Sequence, residues 1–132
     1  HVAKMLHRQG YHPVIFDNLS QGNLQAITCG TFIKGDLGST DDLSKLFSSF
    51  TFSAVMHFAA YISVSESLKD PAKYYLNNVS NTLNLLESMR QHDVKKFIFS
   101  SSAAIFGLPC AKKICEKHPK KPISPYGKSK LM

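Results

Sequence analysis

Two side chains near the carboxyl end of the sequence carry its sharpest chemical signal. Tyr126 and Lys130 lie four residues apart in the run Tyr-Gly-Lys-Ser-Lys. On a helix, positions i and i+4 share a face, so a phenol and an ammonium would stand side by side. A neighbouring cation stabilises phenolate, which brings a tyrosine with an ordinary pKa of about 10 within reach of work as a base near neutrality. Taken alone, the spacing also suits a plain surface helix. It gains weight from the serine run Ser100-Ser101-Ser102, about two dozen residues earlier, at the end of an apolar stretch. A serine hydroxyl there could orient a substrate hydroxyl or share its proton.

A second set of residues stands where short apolar runs stop. Pro13-Val-Ile-Phe16 ends at Asp17-Asn18, Thr31-Phe-Ile-Lys34 at Gly35-Asp36-Leu37, and Ser53 to His57 at Phe58-Ala59-Ala60. In an open parallel sheet, ligands bind beyond the carboxyl ends of the strands. An acid at such an end accepts hydrogen bonds from adenosine-ribose hydroxyls and repels the additional phosphate of NADP, so Asp17 favours NAD. The bland alternative is a turn aspartate. His57, inside an apolar run, reads as a buried and satisfied histidine, and Phe58, Tyr74 and Tyr75 as core or wall residues. Asn77 and Asn78 fall within a helical stretch although asparagine is a modest helix former, which suggests a ligand or a hydrogen-bond network.

The elements that must position these groups follow from periodicity. Val2, Met5 and Leu6 have helical spacing before Gly10, and Pro13 to Phe16 reads as a strand buried on both faces. After the strand 31–34, Ser39 and Thr40 offer caps, Asp41 and Asp42 suit a first turn, and Leu43, Leu46 and Phe47 form a buried stripe. The run 53–60 is a third strand. Pro71 opens a long helix whose stripe is Ala72, Tyr75, Leu76, Val79, Leu83 and Leu86. A fourth strand spans 96–100, and Ser124-Pro125 starts a last helix. Alternating strands and helices predict an α/β fold, a Rossmann-like parallel sheet with helices on both faces. The weakest part is the pair of strands at 13–16 and 31–34, with no clear helix between them.

Bulk properties narrow the function classes. With 132 residues and 43% hydrophobic content, the chain is one domain at most. No run approaches the roughly 18 apolar residues of a membrane span, and no signal peptide is visible. The three cysteines, Cys29, Cys110 and Cys115, lack Cys-x-x-Cys spacing, so neither a metal site nor a disulfide framework is expected, and a reducing, cytoplasmic setting is. The net charge of +7 is local: Lys112, Lys113, Lys117, Lys120, Lys121, Lys128 and Lys130 crowd the carboxyl-terminal end. No aromatic residue lies within 112–121 to stack on bases, so nucleic acid is not the expected partner, and a solvated loop or attraction of an anionic phosphate ligand is.

The Ser102, Tyr126, Lys130 arrangement resembles the extended short-chain dehydrogenase/reductase family. Within that family, Phe16-Asp-Asn-Leu19, Gly35-Asp-Leu37, His57-Phe-Ala-Ala60, Glu66-Ser67 and Tyr75-Leu-Asn-Asn-Val79 resemble the UDP-glucose 4-epimerases. So do Phe97-Ile-Phe-Ser-Ser-Ser-Ala103 and Ser124-Pro-Tyr-Gly-Lys-Ser-Lys130, the most specific stretches. The resemblance implies that Tyr126 takes the proton of a sugar 4-hydroxyl while NAD is reduced. It also implies that Lys130 supports the tyrosine and bonds the nicotinamide ribose, and that Ser102 assists. It assigns Asp17 and Asn18 to the adenosine ribose, Asp36 and Leu37 to adenine, and Phe58, Ala59, Ala60 and Asn77, with Tyr126 and Lys130, to the rest of the NAD site. A UDP-sugar substrate, interconversion of UDP-galactose and UDP-glucose, and a homodimer paired through the helices of Asn77 and Tyr126 are also implied.

Ala103 and Ala104 follow Ser102, where dehydratase relatives carry an Asp-Glu pair, which favours epimerisation over dehydration. Ile62 stands where many relatives have a lysine near the pyrophosphate. Against that pattern, residues 1–132 read as a partial NAD-binding domain. The first strand with its glycine-rich turn, and the substrate-binding half, fall outside it, and the piece alone is expected to be inactive. The alternatives are another NAD-dependent sugar-nucleotide epimerase, a reductase or a dehydratase of the same fold, or a non-catalytic remnant.

Overall fold

A computed structural model describes residues 1–109 and 113–132. Cys110 and Lys112, and with them the start of the lysine-rich loop, lie outside the described residues. The elements run α1 (Val2–Arg8), β1 (Val14–Asp17), a 3-10 turn (Leu24–Ala26), β2 (Thr31–Lys34), α2 (Thr40–Ser49) and β3 (Val55–His57). Then come α3 (Val64–Lys69), α4 (Pro71–Tyr75), a π-turn (Leu76–Ser80), α5 (Asn81–Gln91), β4 (Phe97–Phe99), a second 3-10 turn (Ala103–Phe106) and α6 (Pro125–Leu131).

All strand pairing is parallel. β1 runs beside β2 with Val14 opposite Thr31 and Asp17 opposite Lys34, and β3 beside β4 with Val55 opposite Phe97 and His57 opposite Phe99. The pairs form two separate two-stranded sheets, with no ladder between them among the described residues. What unites them is the core. Leu43, Leu46 and Phe47 of α2 pack with Leu85 and Met89 of α5, and Val14, Phe16, Ile33, Val55 and Phe97 from all four strands close against that cluster. Burying such side chains is worth roughly 1.5–3 kcal/mol each, so the helix pair holds the two half-sheets.

Local chemistry explains where the helices start. Ser39 accepts from the Asp42 amide ahead of α2, Ser63 from Glu66 ahead of α3, Asp70 from Lys73 ahead of α4, and Ser124 from Gly127 ahead of α6. Each satisfies an amide that the first helical turn leaves unpaired. The predicted stripe of α2 is buried as expected, and α6 begins where Ser124-Pro125 places it.

Three sequence expectations need correction, and one helix adds to them. The long helix is interrupted: α4 passes into the π-turn and on into α5, with Leu76, Ser80 and Asn81 all keeping right-handed helical dihedrals. Its buried face is Tyr74, Asn78, Thr82, Leu85 and Met89, while of the expected stripe Tyr75 and Val79 are half-buried and the rest exposed, Leu76 by 62% and Leu83 by 60%. Two successive steps of four would drift around a regular helix, and the widened turn keeps Tyr74, Asn78 and Thr82 in line. β1 is half-buried, not covered on both faces, because α1 buries none of its residues. β3 and β4 are three residues each, shorter than 53–60 and 96–100, because pairing stops where Ser100 donates its amide to the His57 carbonyl. Finally, α3 is a separate helix that the periodicity did not reveal, with Ser67 its only buried residue.

Candidate functional site

The strand ends converge on a cleft of about 250 Å³. Asp17, Asn18, Asp36, Leu37, Phe58, Ala59, Ala60 and Asn77 all line it, together with Phe16, Ser20, Gln21, Gly22, Gly35 and Tyr61. Local bonds fix its acidic end. The Asp17 carboxylate accepts the Leu19 amide at 2.7 Å, and Leu19 takes the left-handed conformation, φ 61°, that this turn requires. Asn18 Nδ2 donates to Asp36 Oδ2 at 2.7 Å, Gly38 N to Asp36 Oδ1 at 2.7 Å, and Asp36 N to Asp42 Oδ2 at 3.1 Å. The two carboxylates thus stand in a scaffold that begins at β1, β2 and the first turn of α2. A second cleft of equal size shares Asp17 and Gly22 and is lined also by Lys4, Ile15, Leu19, Asn23, Ile27 and Cys29, so it has Asp17 as its single carboxylate.

Tyr126, Lys130 and Ser102 stand apart from the cleft lining. Tyr126 and Lys130 are both buried on α6, 9% and 6% exposed, so the four-residue spacing is not a surface coincidence. Lys130 Nζ donates to the Ser100 carbonyl at 2.9 Å and lies 4.7 Å above the Phe99 ring. Burial pushes its pKa below the usual lysine value. Ser102 caps the 3-10 turn 103–106 by accepting from the Ala104 amide at 3.2 Å, and that turn packs on α6. Gly127 makes the approach possible: a Cβ there would meet the Ala104 carbonyl oxygen at 2.6 Å. Tyr74 meets the Tyr126 ring edge-on at 6.3 Å.

Behind these groups runs a polar layer that sequence reasoning named only in part. Glu66 accepts from Lys73 Nζ at 2.6 Å and from the Tyr74 hydroxyl at 2.8 Å; the lysine, then the tyrosine, hold its carboxyl below the usual range. Burial first, and then Glu66, raise Tyr74 above the ordinary phenol value. His57, 4% exposed, bonds Thr82 Oγ1 at 2.9 Å and stacks on Phe97 and Phe99. Burial, aided by the charge of Lys130, lowers its pKa to about 4. This is the satisfied histidine expected of an apolar strand. Thr82 and Tyr61 carried no sequence signal of their own. The adjacent asparagines did, and Asn78 is the most heavily bonded side chain of the layer. Among the described residues, no three His, Cys, Asp or Glu residues gather as a metal would need, and no helix is long and apolar enough to cross a membrane.

Parallel strands with acids at two strand ends, and a buried Tyr/Lys pair on the last helix, define a Rossmann-type α/β domain of the short-chain dehydrogenase/reductase kind. The chain belongs to the GDP-mannose 4,6 dehydratase family, whose profile matches residues 1–132. It is 46% identical over 142 aligned positions to "Probable UDP-arabinose 4-epimerase 3" of Arabidopsis thaliana, covering 100% of this chain and 34% of that one. It is 41% identical over 130 positions to the UDP-glucose 4-epimerase of Rhizobium meliloti, covering 98% of this chain and 40% of that one. The crystal structure of UDP-glucose 4-epimerase from Brucella ovis in complex with NAD superimposes with a TM-score of 0.94 at 45% identity, over 98% of this chain and 40% of that one. The chain therefore spans about a third to two-fifths of the length of these relatives.

Proposed function

We propose that this chain is the NAD-binding part of a UDP-sugar 4-epimerase that interconverts UDP-glucose and UDP-galactose. The observation that carries the reading is the buried Tyr126/Lys130 pair, with Lys130 tied to the Ser100 carbonyl beside the serine run. The cleft fits the adenosine end of NAD by its chemistry: two carboxylates for hydroxyl and amine donors, then the small Ala59 and Ala60. Its 250 Å³ is below the roughly 300–1,000 Å³ of sites that enclose a drug-sized ligand, so the remainder of the dinucleotide would lie along the open strand ends toward Tyr126.

What NAD supplies when bound is reversible removal of the sugar C4 hydrogen with its electron pair. The chain's own residues handle the proton. Tyr126 takes it from the 4-hydroxyl and returns it after the ketose has turned over. Lys130, with one ammonium hydrogen on Ser100, keeps donors for Tyr126 and the nicotinamide ribose. The Ser102 hydroxyl accepts from Ala104, which leaves its own hydrogen for the reacting oxygen. Ala103 and Ala104 supply no acid or base, which supports epimerisation within a family named for a dehydratase. The Arabidopsis relative favours a second reading of the substrate, a UDP-pentose.

Among the described residues both β1 and β3 keep an unpaired edge, and unpaired strand edges call for a partner. A further strand between them, carrying a glycine-rich turn for the pyrophosphate, completes the domain in this reading. A homodimer and a cytoplasmic, reducing setting belong to it too; Cys29 and Cys115 are free thiols.

The test is to express the protein with all the flanking sequence its gene encodes, release bound nucleotide by denaturation, and assay UDP-galactose and UDP-arabinose. NAD in the supernatant and turnover of either sugar are expected. Absence of both would sink the reading. The 132-residue chain by itself, given NAD, is expected to show no turnover.

A further inference from the structure

We infer that Asn81 is a specificity-determining residue for the adenine end of NAD, accepting one hydrogen of the base's 6-amino group while Asp36 accepts the other; the inference rests on the epimerase reading above. Three asparagines, Asn77, Asn81 and Asn84, follow one another at spacings of four and three along the helical stretch that leaves the cleft. Such spacings keep side chains on one side of a helix, and here that side faces the segment 36–38. Asn77 lines the cleft with Asp36 and Leu37, and Asn84 Nδ2 donates to the Leu37 carbonyl at 3.2 Å, which ties that segment to α5. Asn77 Nδ2 also has a protein acceptor, the Asn78 side chain. Asn81 differs from both. It is half-buried, yet its side-chain amide bonds no group among the described residues.

The place of that amide gives it a use. A Cβ on Gly38 would stand 3.1 Å from Asp36 Oδ1, 3.2 Å from Asn81 Nδ2 and 3.4 Å from Asn81 Oδ1. The carboxylate and the amide therefore flank one gap, at the end of the cleft, that glycine leaves open. Asp36 is held by Asn18 Nδ2 on one oxygen and by the Gly38 amide on the other, each at 2.7 Å, and each oxygen keeps a second lone pair. Asn81 offers an acceptor on Oδ1 and donors on Nδ2. Adenine carries the complementary edge: a 6-amino group with two hydrogens, and beside it the N7 acceptor, which a primary amide reads with two hydrogen bonds. One amino hydrogen would go to Asp36 and the other to Asn81 Oδ1, with Asn81 Nδ2 on N7. A 6-oxo purine such as hypoxanthine has acceptors at both places. Asn81 would keep only a donated bond to it, and Asp36 would lose the amino hydrogen.

The experiment uses the protein expressed with all its encoded sequence, stripped of nucleotide and titrated with NAD and with nicotinamide hypoxanthine dinucleotide. The unmodified form is compared with Asn81→Ala. Alanine is the better helix former, so the variant loses the amide and keeps the helix. NAD should bind about tenfold more weakly and the hypoxanthine dinucleotide about twofold, so the preference for NAD falls about fivefold. Should stripping unfold the protein, refolding in an equimolar mixture of the two dinucleotides and analysing what is bound gives the same ratio. Equal weakening of both dinucleotides is what a merely structural role for Asn81 would produce, and it overturns the inference. Unchanged binding of both does so too. An unmodified protein that binds neither dinucleotide overturns the epimerase reading and this inference with it. NAD bound by the unmodified protein, with a preference that Asn81→Ala leaves alone, overturns this inference only.

Discussion

At the scale of single residues, the buried polar groups have measurable consequences. Tyr126→Phe removes the proposed base without removing the ring that meets Tyr74. Turnover should fall about a hundredfold or more while NAD stays bound, and a variant with near-normal turnover would remove Tyr126 from the mechanism. His57 offers a test that needs no substrate. Its folded pKa is about 4, against 6.5 for the free side chain, so the folded state resists a proton that the unfolded state accepts. That contribution is fully present above about pH 6.5 and is lost as pH falls toward 4, amounting to about 2 kcal/mol between pH 7 and pH 5. The stabilisation from Glu66 and Glu87, held down chiefly by hydrogen bonds from Lys73 and Arg90, is present above the ordinary carboxylate pKa and is lost as pH falls through and below it, so little of it changes between pH 7 and pH 5. His57→Gln can still bond Thr82 but does not titrate there. Urea unfolding at both pH values should show a smaller acid loss for the variant, and equal losses would refute the assignment.

At the scale of elements, the fit between α6 and the turn 103–106 depends on a missing side chain. Alanine would favour the helix at position 127 by about 1 kcal/mol on propensity alone. The Cβ would however meet the Ala104 carbonyl oxygen at 2.6 Å and Pro122 Cβ at 3.0 Å, and a backbone carbonyl has little room to move. Gly127→Ala should therefore be destabilising on balance, by about 1–3 kcal/mol in urea unfolding, with turnover reduced because Ser102 and Tyr126 part. A stabilised variant would show that the close approach is not maintained. Much of this packing was legible beforehand. Ser39 with Leu43, Leu46 and Phe47, and Ser124-Pro125 before α6, declare themselves through caps and spacing. Eight of the ten residues expected around NAD line one cleft, since they stand at or just past strand ends or on the helical stretch that follows, while Tyr126 and Lys130 lie outside its lining. The face of the long helix was not legible. Its leucines have the periodicity of a core, yet the buried positions include Asn78 and Thr82, whose burial depends on partners such as Ser129 and His57, 51 and 25 residues away in the chain. Hydrophobic periodicity does not register a polar group that is paid for by tertiary hydrogen bonds.

At the scale of the whole molecule, those outward leucines need an explanation. Leu76, Leu83 and Leu86 are exposed along a helix whose other face packs on α2, α6 and the strand residues Val55 and Phe97. Scattered apolar residues on a surface are ordinary, whereas a row along one helix marks a contact surface. The proposed homodimer, paired through the helices of Asn77 and Tyr126, gives that row a partner of the same kind, since a two-fold interface sets each patch against its copy. Leu83→Glu isolates this contact, for Leu83 is 60% exposed and stands outside the buried cluster that closes the core. The charge would then cost nothing in the monomer and would be desolvated only on pairing, shifting a dimer toward monomer by a hundredfold or more at about 3 kcal/mol. Sedimentation equilibrium on the protein with all its encoded sequence is the measurement, read beside the circular dichroism of each form. A dimer that becomes a monomer with unchanged helix content supports pairing through this face. A Leu83→Glu protein that stays dimeric, or an unmodified protein that is monomeric at micromolar concentration, shows that the leucine row serves some other contact.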